Sequence, residues 1–263
     1  MTGKIAFQGL PGAYSDMACR AVHPEMETVP CSGFEDMFQA VHDGAADLAM
    51  VPVENTVAGR VADIHYLLPN SNLHIIGEHF QRVNHRLLAP KGATLETLKQ
   101  VHSHVHALSQ CRKMFRELGL KPVVHADTAG SAKEVAELGD LSRGAIASEL
   151  ASEIYGLETL RKDVEDDDHN TTRFLIMAKE PIDPDLDAGP AVTTFIFRVR
   201  NVPAALYKAM GGFATNGINM TKLESYVDED FVAAQFYADV EGHPEDMLLK
   251  LALEELQFYC TDG

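Results

Sequence analysis

Lys4-Ile5-Ala6-Phe7-Gln8-Gly9-Leu10-Pro11-Gly12-Ala13-Tyr14-Ser15 opens the chain with an apolar strand, a Gly/Pro turn and the start of a helix that runs over 14–22. A strand delivered by a tight turn straight into a helix is the first half of an α/β unit. The alternation continues downstream. Strand patterns lie at 47–51, 75–76, 86–89, 123–126, 144–147 and 174–177, and helical patterns at 60–68, 108–118 and 128–138. Gly119 and Gly156 close two of the helices, and Thr128 is read as an N-cap. This order predicts an α/β region with largely parallel sheets.

The pattern changes after Glu180-Pro181-Ile182-Asp183-Pro184-Asp185-Leu186-Asp187-Ala188-Gly189-Pro190. Prolines without apolar periodicity mark a linker there, so 1–180 and 191–263 are read as separate domains. The second reads as strand 192–199, helix 203–213, strands 218–227 and 231–240, and an amphipathic helix 244–258. That is βαββα, a ferredoxin-like α+β order whose last strand is missing, because the chain stops at Cys260-Thr261-Asp262-Gly263.

Composition narrows the partners. The 263 residues suggest about two domains. Hydrophobic residues make up 46% and charged residues 23%, which excludes a disordered chain. Lys+Arg is 22 and Asp+Glu is 39, a net charge of −17 that repels nucleic acid and anionic membranes. An anionic substrate would need a local cationic pocket. No apolar run approaches about 18 residues, and Met1-Thr2-Gly3-Lys4 begins no signal peptide. Cys19, Cys31, Cys111 and Cys260 have neither CxxC nor metal spacing, so the reading is a reduced, cytoplasmic protein.

Five segments can carry chemistry. The Gly9–Ser15 turn presents N–H groups at a helix start, where an anion can sit, or it is an ordinary βα turn. Pro52-Val53-Glu54-Asn55-Thr56 follows a buried strand, and ligands in open α/β sheets bind beyond strand ends. Asn55 and Thr56 either donate there or cap the next helix. His102, His104 and His106 would share one face of a strand, too widely spaced for one zinc, and no metal site is expected. The acidic run Glu165 to Asp168 reads as a solvated loop. Asn170-Thr171-Thr172-Arg173-Phe174 sets a hydroxyl beside a guanidinium, which grips a carboxylate or pairs with the acidic run. GxSxG, HExxH, kinase and P-loop patterns are absent, so hydroxyls, amides and one Arg are left to act without a cofactor.

Together Gly9-x-Pro11-Gly12-Ala13-Tyr14-Ser15, Pro52-Val53-Glu54-Asn55-Thr56, Ser103-His104, Gln110-Cys111 and Asn170-x-Thr172-Arg173-Phe174 resemble the prephenate dehydratases, in order and over the full length. Arg200-Asn201-Val202-Pro203, Gly217-Ile218-Asn219 and Glu224-Ser225 resemble the ACT regulatory domain that follows in that family. The resemblance implies a two-lobed catalytic region similar to type II periplasmic binding proteins. One lobe would hold about 1–80 plus 165–180, the other about 81–164. It implies conversion of prephenate to phenylpyruvate, water and CO2 in phenylalanine synthesis, by a monofunctional homodimer or homotetramer. It assigns leaving-group assistance to Thr172; Arg173 is expected to grip the pyruvyl carboxylate, with Gly12, Ser15, Asn55, Thr56, Ser103 and Gln110 binding the rest of the substrate. Arogenate dehydratase and a non-catalytic amino-acid-responsive binding module are the alternatives.

The regulatory positions implied are Asn201, Ala204, Ala205, Leu206, Asn219, Glu224 and Ser225. Three features depart from the family. Ala13 replaces a Ser or Thr; Ala204-Ala205-Leu206-Tyr207 and Glu224-Ser225-Tyr226-Val227 replace Gly-Ala-Leu-Val and Glu-Ser-Arg-Pro; and the last strand is missing. The last two predict weak inhibition, or none, by L-phenylalanine.

Overall fold

A computed structural model describes residues 3–200, 202–227 and 233–261. The elements run β1 (Lys4–Gln8), α1 (Tyr14–Val22), β2 (Glu27–Cys31), α2 (Phe34–His42), β3 (Leu48–Asn55), the two-residue β4 (Gly59–Arg60), α3 (Ala62–Leu67) and β5 (His74–Arg82). Then come β6 (Arg86–Ala89), β7 (Gln100–His104), α4 (Val105–Ser109), α5 (Arg112–Leu118), β8 (Lys121–His125), α6 (Thr128–Leu138), β9 (Arg143–Ala147), α7 (Glu149–Tyr155), β10 (Glu158–Arg161) and β11 (Thr171–Ala178). The remainder is β12 (Val192–Arg198), α8 (Ala205–Ala209), α9 (Gly211–Thr215), β13 (Met220–Val227), β14 (Ala233–Glu241) and α10 (Met247–Gln257). The chain forms two compact units, Met1–Ile182 and Asp183–Gly263.

The first unit is mixed α/β with two sheets, ordered β2-β1-β3-β11-β5 and β10-β6-β9-β7-β8, with β4 paired to β3. The sheets are not largely parallel. β1 runs parallel to β2 and β3, but β11 is antiparallel to both β3 and β5. The reason lies in the path. The chain leaves the first sheet after β5, builds the whole second sheet, and re-enters as β11 at the end where it left, so β11 runs back against β5. Its two crossings lie side by side, with Val83 N–H donating to Asn170 O at 2.9 Å and Val164 N–H to His85 O at 3.0 Å.

The pattern of β1 follows from its place between neighbours. Ile5, Ala6 and Phe7 are all fully buried, as expected of a strand covered on both faces. Ile5, Phe7, Met50 and Phe174 pack with Ala18 and Cys19 of α1. Each large apolar side chain buried this way stabilises the fold by roughly 1.5–3 kcal/mol. Around the second sheet, Leu87, Val101 and Ile146 pack with Met114 and Phe115 of α5.

Several elements differ from the sequence expectation. β2 carries Pro30 and is absent from the pattern, yet it is an edge strand, where a missing N–H is tolerated. Asp127, and not Thr128, caps α6, accepting Gly130 N–H at 2.5 Å. β7 stops at His104 and α4 begins at Val105, so His102, His104 and His106 do not share one strand face. Among the described residues no helix is long and apolar enough to cross a membrane.

In the second unit the sheet order is β12-β14-β13, all antiparallel. Phe197, Phe236, Ala238 and Val240 face a core completed by Phe213, Leu249, Ala252 and Leu256 from α9 and α10. The chain end is not wholly unpaired. Cys260 makes one antiparallel bridge with Val199, and Thr261 N–H donates to Arg198 O at 2.9 Å.

Candidate active site

Asn55 and Thr172 meet because β3 and β11 are antiparallel neighbours in which these two residues are directly opposite. Such pairs bring side chains on one face into contact. Asn55 Nδ2 donates to Thr172 Oγ1 at 2.9 Å, to Asn170 Oδ1 at 2.7 Å and, more weakly, to Thr171 O at 3.3 Å. Its Oδ1 accepts Val57 N–H at 3.0 Å and Ala58 N–H at 2.7 Å, the Asx turn that ends β3. Asn55 thus both closes its own turn and holds Thr172.

A row of neutral polar groups continues from this pair. Asn170, almost fully buried, donates from Nδ2 to Gln110 Oε1 at 2.7 Å. Gln110 Oε1 lies 3.0 Å from His85 Nε2, and His85 Nδ1 lies 2.8 Å from the Tyr14 hydroxyl. The Tyr14 and His85 rings meet edge to face. Gln110 reaches in from the end of α4, His85 and Asn170 sit on the two crossings, and Tyr14 opens α1. Burial pushes the His85 imidazole down to about 4, opposed by its contact with Gln110. Burial, with Glu165 adding to it, pushes the Tyr14 hydroxyl well up. Both side chains are therefore neutral near pH 7.

The other expected residues sort differently. Thr56 ties β3 to β11: its hydroxyl donates to His169 O at 2.6 Å and accepts Thr171 N–H at 2.9 Å. Ser103 is fully buried and donates to Ile146 O at 2.6 Å, joining β7 to β9. The α1 turn is not an open anion cradle. Gly12 N–H donates to Asp16 Oδ2 at 2.9 Å, Ala13 N–H to Leu10 O at 3.0 Å, and the buried Asp16 carboxylate pairs with Arg20. Gly12 has φ +89, and a Cβ there would lie 2.8 Å from Ala151 Cα. The turn packs on α7, whose Ser148 and Tyr155 hydroxyls donate to Gly12 O and Pro11 O. Ser15 is buried in the first turn of α1.

Arg173 is not brought to Thr172. Adjacent strand residues point to opposite faces. Arg173 Nε donates to Glu78 Oε2 at 2.8 Å, and the two side chains are only 14% and 34% exposed. The sequence reading left Asn170, His85 and Tyr14 out of the site. Asn170 stood in the Thr172 segment, but nothing in the pattern around His85, a single histidine before an apolar strand, marks it.

Of the regulatory positions, Asn201 lies outside the described residues. Ala204 precedes α8 with φ +61, the left-handed region that favours glycine. Leu206 packs against the core of its unit, and Ala205 is buried. Asn219 O accepts Glu241 N–H at 2.9 Å. Glu224 and Ser225 alternate on β13, with Glu224 3.7 Å from Lys222 Nζ.

A family model described as prephenate dehydratase matches residues 5–182. A bifunctional N-acyl-homoserine lactone acylase/prephenate dehydratase of Komagataeibacter europaeus is 54% identical over 256 residues, covering 97% of this chain and 91% of the relative. The chloroplastic arogenate dehydratase/prephenate dehydratase 1 of Arabidopsis thaliana is 43% identical over 273 residues, covering 98% and 69%. The crystal structure of an Arthrobacter aurescens prephenate dehydratase in complex with L-Phe matches with a TM-score of 0.89 at 28% identity, over 97% of this chain and 86% of that one.

Proposed function

The chain belongs to the prephenate dehydratase family, and we propose that the Asn55–Thr172 pair carries its reaction. That reaction is the decarboxylating dehydration of prephenate to phenylpyruvate, water and CO2 in phenylalanine biosynthesis. The ring C–CO2 bond breaks, its electron pair enters the ring, and the C–OH bond breaks at the far side. Aromatisation supplies the driving force. What remains is to help hydroxide leave as water, which takes one proton.

The observation that carries this reading is the direction of one hydrogen bond. Asn55 Nδ2 donates to Thr172 Oγ1, so the hydroxyl's own proton points away from Asn55. A threonine hydroxyl so held is a donor to the leaving oxygen or a relay for its proton. Gln110 is the second donor, since its oxygen is engaged by Asn170 and His85 and its NH2 group has no acceptor among the described residues. Neutral donors suit this chemistry. A cation on the departing carboxylate would stabilise the ground state and slow its loss. Gly12, Ser103 and Thr56 shape the site in this reading without touching substrate.

The two sheets of the first unit, joined by two crossings, support a two-lobed architecture of the periplasmic-binding type, with the site where the crossings meet. The second unit is read as an ACT-type domain, in which the Val199–Cys260 bridge lies beside β12 where a fourth strand would pair. Its expected effector is L-phenylalanine, bound weakly because Ala204 stands at a left-handed position where a Cβ blocks close approach to the backbone. Isothermal titration with phenylalanine, beside an inhibition curve, checks this; micromolar binding with matching inhibition overturns it. In this reading the chain works in the cytoplasm as a dimer or tetramer, and light scattering of the purified protein checks the oligomeric state.

Phenylpyruvate release from prephenate, with arogenate assayed beside it, tests the main reading. Turnover of arogenate alone replaces prephenate by its amino analogue, and turnover of neither removes the assignment. A second reading rests on the Komagataeibacter relative, whose name includes a lactone acylase. Here the chain would also hydrolyse N-acyl-homoserine lactones. No fatty acid released at enzyme concentrations that turn over prephenate removes it.

A further inference from the structure

The donors and acceptors of the polar row from Thr172 to Tyr14 can be assigned from one end. The N–H groups of Val57 and Ala58 can only donate, so the atom of Asn55 that faces them is its oxygen. Its NH2 group must therefore face Asn170 and Thr172. Asn170 then turns its oxygen to Asn55 and its NH2 group to Gln110. Gln110 in turn presents its oxygen to Asn170, and that same oxygen lies 3.0 Å from His85 Nε2. An acceptor at that place requires Nε2 to carry the proton. Nδ1 is then bare, and it faces the Tyr14 hydroxyl at 2.8 Å. Tyr14 has one proton for two acceptors, Nδ1 and the Asn84 carbonyl at 2.9 Å.

We propose that His85, steadied by Tyr14, is a positioning residue for the dehydration: as the Nε2–H tautomer it pins the Gln110 carboxamide by its oxygen and so aims the Gln110 N–H groups at the substrate. The inference rests on the Thr172 reading given above. A second observation supports it. His85 is fixed from its backbone as well as its ring, because its N–H donates to Glu165 Oε2 at 2.8 Å and its carbonyl accepts Val164 N–H. The ring therefore stands on the crossing between the two sheets, and Gln110 is the group it orders. Without His85 the Gln110 oxygen would be held from the Asn170 side alone, so the carboxamide would be less tightly fixed and its N–H groups less well aimed.

Two amide variants separate this role from packing. A glutamine at 85 places its amide nitrogen where Nε2 stands and can still donate to Gln110. An asparagine reaches only as far as Nδ1. His85→Asn is expected to lose about tenfold or more in kcat/KM, while His85→Gln recovers to within about threefold of the parent, with melting temperatures recorded for both. A merely structural histidine would move both variants alike, so equal kcat/KM values overturn the proposal. Long-range 1H–15N correlation of the imidazoles, with the His85 signals assigned by their loss in His85→Gln, should show the Nε2–H tautomer. The Nδ1–H form or an imidazolium at pH 7 overturns it. Should His85→Asn fail to fold, the tautomer decides alone. Thr172→Ala is run alongside. Full activity there removes the Thr172 reading, whereas an inactive Thr172→Ala with equal His85 variants removes only the positioning role.

Discussion

Thr172 and Arg173 are neighbours in the chain and lie on opposite faces of one strand pair, with Asn55 opposite the first and Glu54 opposite the second. The two faces are built from different chemistry. On the first, Asn55, Asn170, Gln110 and His85 form a row of neutral groups whose hydrogen bonds converge on the Gln110 oxygen, leaving the Thr172 hydroxyl proton and the Gln110 NH2 group as donors. On the second, Arg173 meets Glu78 as an ion pair. The difference teaches that a Thr-Arg dipeptide on a strand is not one site but two half-sites, separated by the period of two. In a chain of net charge −17, the cation is spent on a carboxylate of its own sheet, and the donors proposed to meet substrate are uncharged.

The largest effect should come from the neutral face. Thr172→Ala removes the only hydroxyl that Asn55 orients, and kcat should fall by about 10²–10⁴, the usual worth of positioned proton donation. Thr172→Ser keeps the hydroxyl and should keep most of the rate. If the alanine variant holds more than about a tenth of the parent kcat, less than about 1.4 kcal/mol of barrier lowering rests on this group. The two faces would then not differ in catalysis.

Asn55→Asp sharpens the comparison with almost no change of shape. A carboxylate still accepts the Val57 and Ala58 N–H groups, but it cannot donate to Asn170 or Thr172. The Thr172 proton then turns back toward the new carboxylate, and kcat should drop by about 10² or more. Unchanged circular dichroism with lost turnover is the expected pair of results. Full turnover would show that the direction of the row is immaterial.

Much of this was legible before any coordinates. The α/β alternation and the break near 180–190 follow from local pattern, because turn residues and strand ends are encoded by neighbours, while the Asn55 and Thr172 segments were favoured over their ordinary readings only through the family resemblance. What pattern could not give was pairing. That β11 returns antiparallel to β3 sets Asn55 against Thr172 and turns Arg173 away, and it depends on a path of more than a hundred residues. Thr56 was expected as a donor beyond a strand end, and Ser103 entered through the family motif. Whether such a hydroxyl meets substrate or a backbone carbonyl depends on strands distant in sequence. His85 had no pattern at all, since a lone histidine before an apolar strand looks the same buried or bare.

Acidity gives the next largest effect and acts on the neutral face through His85. His85 titrates near 4 in the folded chain because burial disfavours the imidazolium, against about 6.5 when unfolded. The unfolded chain therefore binds this proton more readily between those values. The contribution of a neutral His85 is fully present above about pH 6.5 and is lost as pH falls toward 4. Its full size is on the order of 3 kcal/mol. Other groups also respond to pH, so the measurement must be a difference. The stability of the parent minus that of His85→Gln, followed by denaturant titration, should fall steeply from pH 6.5 to 4. A flat difference would mean that His85 is neither buried nor neutral as placed.

The smallest effect should come from the charged face, and it should appear in stability and not in rate. Arg173 and Glu78 are partly buried, and their 2.8 Å contact is a charge-assisted hydrogen bond across β11 and β5. Solvent still reaches Glu78, so a coupling of about 1 kcal/mol is the reasonable size. Arg173 has further interactions, so a single substitution does not isolate the pair. A double-mutant cycle of Arg173→Gln and Glu78→Gln does, provided each removes the contact without making a new one. The cycle should return about 1 kcal/mol of coupling in denaturant unfolding, shrinking as salt is raised. Over the same four proteins kcat and KM should stay within about threefold, because neither side chain lies on the Thr172 face. Arg173→Lys should follow the same course, its KM held although a point charge has replaced a fork. A KM raised tenfold or more in Arg173→Gln but not in Glu78→Gln would put the guanidinium back on the substrate carboxylate. The two faces of the strand pair would then be one site after all.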